Sequence, residues 1–419
     1  MTGVHGDPIL VPPDRSVLRA RRKAGDTARD GRGRVAAVPP ILQYGFRPFF
    51  FLAAFYAGAA VPLWLWAQAG GPQPPGPFVG VGWHAHEMIF GYLGAVLAGF
   101  ILTAIPNWTG RLPLSGVPLA VLVALWVAGR LAAAFVAAPW LAMALDLAFP
   151  VVLAFAVWRE VLAGRNWKNA PIAAMIALFG VAAGIDHLSA MGHAPHQLGI
   201  RLALGVAAVL IALVGGRIVP SFTRNWLVKR GATRFPASFG KLDGAAIAAT
   251  AGAALAWVIA PAAMATGALL LAAGSLVGLR LARWRGLATL SEPLVLILHL
   301  GYAWLAAALL LLGLAALVPD LVPESMALHA LTAGAVGTMT LAVMTRASLG
   351  HTGRPIVADS VTVAIYALVT SGALLRVAAP FADAWYLEVL SAGGALWSAA
   401  FLLFALGYGP VLWGRRAGT

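Results

Sequence analysis

From residue 46 to the C-terminus, apolar runs long enough to cross a bilayer recur twelve times, separated by Pro, Gly and charge clusters. A helical span needs about 20 predominantly apolar residues. The runs cover 46–68, 86–106, 117–137, 139–162, 170–190, 197–219, 242–261, 263–282, 293–317, 325–345, 358–379 and 386–413. Backbone polar groups find no water in hydrocarbon, so lone segments of this kind must close their hydrogen bonds internally, as helices. The expected fold is an all-α polytopic membrane protein with twelve transmembrane helices. Composition agrees, because 61% hydrophobic and 11% charged residues lie far from the roughly 45–50% and about 25% of soluble domains. A soluble enzyme, a disordered chain and a disulfide-stapled secreted domain are excluded. The chain has no cysteine, which also excludes thiol catalysis, Cys-ligated zinc and iron–sulfur clusters. Any metal must sit on His, Met, Asp, Glu or Tyr.

The formal net charge of +14 invites a nucleic-acid reading, and the positions of the charges remove it. Residues 1–40 are rich in Arg, Gly, Pro and Asp with no apolar run, and read as a disordered basic tail. Residues 41–419 form the membrane domain. If the tail is cytoplasmic, 26 of the 29 Lys and Arg residues fall in cytoplasmic segments, the asymmetry of the positive-inside rule. Both termini are then cytoplasmic, and the expected partner of the tail is anionic membrane lipid, worth about 1 kcal/mol per basic residue near the surface. The exceptions are Arg130, Arg201 and Arg376. Arg130 and Asp146 each lie about seven residues from the outer ends of adjacent antiparallel spans, hence at one depth. Neither charge is tolerable alone in hydrocarbon, so a buried Arg130–Asp146 pair is expected, either as a clasp or as part of an ion path. Asp243, Glu292 and Asp359 read as solvated groups at inner span ends.

Six of the nine histidines gather toward the outer face: His84, His86, His187, His193, His196 and His329. His299 is nearer the cytoplasmic side, with Tyr302 one turn away, and His351 follows span 10. Imidazole is a common metal ligand and a haem axial ligand; outer-edge histidines can also be plain interfacial residues. His84 and His86 are two residues apart, about 200° around a helix. Either His84 precedes the helix, or the two serve different centres. Glu87 and Met88 are further candidate ligands or outer-shell partners.

Spans 2, 6 and 10 share a pattern, each with a histidine at its outer end and a Thr/Arg-rich inner exit. His86 to Arg111 is 25 residues, as is His329 to Arg354, while His196 to Arg224 is 28. The alternatives are chance and a repeat every four helices, which would give three four-helix arcs as in haem–copper oxidase core subunits. On the inner side Arg47, Arg111, Arg217, Arg224, Arg346 and Arg354, with Asn107, Ser221 and Thr223, are either the ordinary positive-inside set or an anion pocket for a cofactor's carboxylates or a lipid headgroup.

Several of these motifs, GFRPFF (45–50), WHAHEMIFGYLGAVLAGFILTAIPNWTGR (83–111), GGRIVPSFTRN (215–225), HLGYAWL (299–305) and MTRASLGHTGR (344–354), make the chain resemble the NnrS family of bacterial inner-membrane proteins. The resemblance covers the whole membrane portion and not the tail. It implies a protein containing haem b and copper, linked to nitric oxide metabolism and nitrosative-stress tolerance. Its motif histidines correspond to His84, His86, His299, His329 and His351, with His187 a looser match. It implies nitric oxide as the partner molecule, an electron donor if nitric oxide is turned over, and no nucleic acid. Span 7 lacks histidine, and no His is followed by Tyr four residues later, so a copper site built like that of the oxidases is not expected. A sensor or scaffold that binds nitric oxide without turnover, and a twelve-helix secondary transporter, are the rival readings.

Overall fold

The structure is a computed structural model that describes residues 38–418. The expected basic tail therefore lies outside the described residues except for its last three positions. Among the described residues there is no strand, and twelve helices are long and apolar enough to cross a membrane. They are α1 (Phe46–Gln68), α2 (Val81–Pro106), α3 (Val117–Phe135), α4 (Pro139–Ala163), α5 (Trp167–Ala190), α6 (Leu198–Lys229), α7 (Lys241–Ile259), α8 (Met264–Ala282), α9 (Pro293–Leu317), α10 (Glu324–His351), α11 (Ser360–Phe381) and α12 (Asp383–Trp413).

Sequential helices pack on one another and α12 returns to α1, closing a ring. α2, α6 and α10 are the most enclosed of the twelve. α6 touches both of the others, and the Tyr92 hydroxyl on α2 bonds the Thr340 hydroxyl on α10. The inner positions thus fall to every fourth helix, the layout of three four-helix arcs.

The same three helices share a local irregularity. Each contains a π-helical segment: Glu87–Leu93 in α2, Ile211–Gly215 in α6 and Ala330–Val336 in α10. In α2 and α10 it starts directly after a histidine, His86 or His329. A π turn disturbs the regular hydrogen-bond ladder, and a freed carbonyl in an apolar bundle needs another donor. Each segment receives one from a neighbouring helix. Trp126 Nε1 donates to Gly91 O at 3.0 Å, Arg280 Nη1 to Ala212 O at 2.7 Å, and Trp397 Nε1 to Ala333 O at 3.2 Å.

Small residues let the helices approach closely. A Cβ on Gly372 would stand 2.9 Å from the Gly393 carbonyl across the α11–α12 crossing, too close for any larger side chain. At the opposite end, Arg47 Nη1 donates to the Leu412 and Gly414 carbonyls at 2.8 and 2.7 Å. That guanidinium satisfies the C-terminal end of α12, where the helix dipole favours a cation.

Three expected boundaries shift. α2 begins at Val81 rather than 86, so His84 is helical. α6 continues to Lys229 rather than 219, because beyond its π segment the chain turns polar on one side only. α10 runs through His351, which ends the helix instead of following it.

Candidate functional site

Two polar sites lie at the histidine end of the central helices, and one turn of α2 supplies both. The first is a closed network. His86 is fully buried, with Nδ1 2.8 Å from Asp186 Oδ2 and Nε2 3.1 Å from Asp146 Oδ2. His187 Nε2 approaches the same Asp146 oxygen at 3.0 Å. The other Asp146 oxygen pairs with Arg130 Nη2, whose Nη1 donates to Glu87 Oε2 at 2.7 Å. The Tyr56 hydroxyl bonds the same Glu87 oxygen, and Phe78, from the α1–α2 loop, stacks on the His86 ring at 3.9 Å.

Close helix approach makes the cluster possible. A Cβ on Gly129 would sit 2.7 Å from Asp146 Oδ1, and one on Gly199 would sit 2.5 Å from the Asp186 backbone nitrogen. A Cβ on Gly91 would meet Glu87 Oε2 at 2.9 Å. Glycine is therefore a packing requirement at these positions.

The charges in this network do not cancel. Three buried carboxylates, Glu87, Asp146 and Asp186, face one buried guanidinium, Arg130, and the His86 imidazole, so acidic groups outnumber basic partners. Glu87 Oε1 is enclosed and has no partner. An imidazole with carboxylates at both nitrogens carries a proton on each, or exchanges one for a metal ion. His86, Asp146 and His187 present ligand atoms within 4.8 Å of one another. Two imidazoles and one carboxylate suit a first-row transition metal. Asp186 behind His86 is the carboxylate that orients many metal-bound histidines. The donor set fits a metal ion.

The second site is a cavity of about 80 Å³ lined from α1, α2, α6, α10, α11 and α12. His84 and His329 line it, with Arg376 and the apolar Trp64, Met88, Leu390 and Trp397. His84 stacks on Trp64 at 4.4 Å, and its Nδ1 is enclosed with no partner. His329 Nδ1 donates to the Ser325 carbonyl at 2.7 Å, which makes Nε2 the nitrogen with a free lone pair. Arg376 Nη1 is likewise enclosed and unpartnered. Apolar walls with a few convergent polar groups are the lining of a small-molecule or cofactor site. Haem fits the donor set: two imidazoles for iron, apolar walls for the macrocycle and a cation for a carboxylate.

An apolar cavity of about 90 Å³ adjoins the second site among α2, α5, α6 and α10. Leu93 and Val336 line both cavities, and Thr340 is the one polar side chain in the apolar one.

The expected site residues therefore separate. His86 and His187 join Asp146 and Arg130, while His84 and His329 share the cavity. His299 joins neither: its Nε2–H donates to Thr223 Oγ1 at 2.8 Å, since that hydroxyl is itself committed to the Val219 carbonyl. His351 packs beside the Phe46 ring at 5.6 Å. Of the six inner-side arginines, Arg47 and Arg354 come together at Gly414, and the others have separate surroundings. Arg47 caps α12, Arg111 pairs with Glu160 on α4, Arg224 stacks on Phe235 and Arg346 on Phe222, while Arg217 is exposed and Arg354 keeps Nη1 without a partner. The Asn107 side chain lies outside the described residues. Asp243 is not solvated as expected, being buried and bound to Arg280 Nε at 2.8 Å.

Two participants escape the sequence reading. Asp186 carries a signal in hindsight, a carboxylate beside His187 within the outer end of an apolar run. Arg376 breaks the charge asymmetry, yet nothing in the sequence ties it to His84 or His329.

A ring of twelve helices with polar side chains buried among three π-bulged central members defines an integral membrane protein that shelters its chemistry inside the bundle. The chain matches the NnrS protein family over residues 40–416 and belongs to it. That family is linked to nitric oxide metabolism. No curated protein matches the chain.

Proposed function

We propose that this protein binds haem b and copper in the membrane and takes up nitric oxide, supporting nitrosative-stress tolerance or denitrification. The observation that carries the reading is the division between His84 and His86, which enter two separate polar sites from one helical turn. His84 and His329 would hold the haem, and His86, Asp146 and His187 the copper. Haem held there would supply an iron atom able to bind nitric oxide.

The rest is the work of the chain's own residues. The Ser325 carbonyl fixes the His329 tautomer and Trp64 holds the His84 ring in plane. Asp186 orients His86 in the same way. Phe78 stacks on His86 and packs with Trp83, an apolar cover that limits access of water. Nitric oxide, a small neutral diatomic, partitions into lipid. The apolar cavity along α2, α6 and α10 offers it a path that competing anions and water do not favour. The arginine-rich side faces the cytoplasm of a bacterial inner membrane, with both termini on that side.

The test is the optical spectrum of purified protein, reduced and then exposed to nitric oxide, with metal analysis of the same sample. A Soret band that shifts with nitric oxide, together with copper, is expected. Protein loaded with neither in a host that makes both overturns the reading.

A further inference from the structure

Arg376, which is half-buried, lacks the partners that the fully buried arginines have. Arg130 is bound by Asp146 and Glu87, Arg280 by Asp243, and Arg47 by two helix-end carbonyls. Arg376 sits on α11 against the histidine cavity, its Nη1 shut away from solvent and bonded to nothing. Among the described residues no carboxylate pairs with it. Guanidinium does not give up its proton in proteins, so a permanent positive charge borders an apolar cavity without a counter-charge. A half-buried charge against an apolar cavity is complemented by an anionic partner.

The same cavity contains the enclosed, unbonded Nδ1 of His84, and His329 with its tautomer fixed. Its other walls, Trp64, Trp397 and Leu390 among them, are apolar. These groups describe a ligand with a flat apolar body, an atom that accepts imidazole nitrogen and an anionic arm.

We propose that Arg376 binds a carboxylate of the ligand in the His84–His329 cavity. The assignment rests on the haem reading, since haem bears two propionate carboxylates, and it makes Arg376 a positioning residue rather than a ligand to iron. A paired guanidinium also holds positive charge beside the iron. Its loss stabilises the oxidised state and lowers the midpoint potential.

The test uses the full-length protein in detergent, stripped and reconstituted with haem or with haem dimethyl ester, which lacks the free carboxylates. Wild type is expected to retain free-acid haem at least about tenfold better than the ester, the strength of a charge-assisted hydrogen bond. In Arg376→Leu that preference disappears and the midpoint potential falls, while Arg376→Lys restores part of both. Wild type that binds acid and ester equally overturns the assignment alone, and needs no variant to fold. Wild type that takes up no haem overturns the cofactor reading and this assignment with it.

Discussion

His84 and His86 stand two residues apart on the first turns of α2 and face different sites, the one a cavity shared with His329, the other a carboxylate network shared with His187. The helical period alone separates them, at about 100° per residue.

That separation predicts two classes of histidine variant. His84→Ala and His329→Ala should lose haem and keep copper, whereas His86→Ala and His187→Ala should lose copper and keep the Soret band. Pyridine haemochrome assay and metal analysis of the same preparations test this. Loss of both cofactors in every variant that still elutes as a folded monodisperse species would reject two independent sites.

Arg130 is the single guanidinium among three buried carboxylates. Breaking a buried pair by removing one partner costs about 3–5 kcal/mol, so Arg130→Met should lower the melting temperature in detergent sharply. Adding Glu87→Gln should recover part of the loss. An additive second loss would mean that Glu87 does not repel its neighbours when Arg130 is gone.

Gly129→Ala tests the cluster without touching a polar group. The added methyl would begin 2.7 Å from Asp146 Oδ1, so the carboxylate must move. Copper content is expected to fall while haem content stays, and unchanged copper affinity would show that Asp146 is not a ligand.

Val336 lines both cavities. Val336→Phe should slow nitric oxide and carbon monoxide association in flash photolysis, with haem content unaltered. Equal association rates would mean that the gas enters elsewhere.

Asp359 supplies a pH dependence away from the metal sites. Its carboxylate accepts from the Thr362 N–H at 2.8 Å and the Thr362 hydroxyl at 2.7 Å, capping α11 and holding its pKa below the ordinary aspartate range. With the folded value depressed, the stabilisation is complete above the unfolded pKa of about 3.9 and fades as pH falls through the lower folded value. Asp359→Ala should cost about 1 kcal/mol at neutral pH. Asp359→Asn should keep most of the cap and flatten thermal stability across that acid range. A steep acid loss in the Asn variant would assign it to other groups.

The helix count and the meeting of Arg130 with Asp146 follow from properties the sequence carries directly, run length and depth along antiparallel spans. The separation of His84 from His86 was half visible: the period admitted two centres but did not choose them. The choice depends on Val81 starting the helix, which the apolar run beginning at 86 conceals because Gly82 and His84 dilute the segment before it. Asp243 was misjudged because its position at a span end suggested water. The side chain instead turns inward to Arg280, which serves the π segment of α6. Arg376 and the π segments depend on contacts between helices far apart in sequence, and no local pattern encodes those.

The three π segments have a consequence for how this bundle tolerates insertions and deletions. Removing one residue between Glu87 and Leu93 would let α2 regain a regular ladder, and by helical rotation would swing His84 and His86 about 100° against everything below them. The span would keep its length and hydrophobicity, and the fold would survive by every coarse measure. Both sites would nonetheless be out of phase with His187 and His329, and Trp126 would point its indole N–H at a carbonyl already engaged. Alignments of this region that close the gap by a single position therefore compare helices that cannot present the same faces.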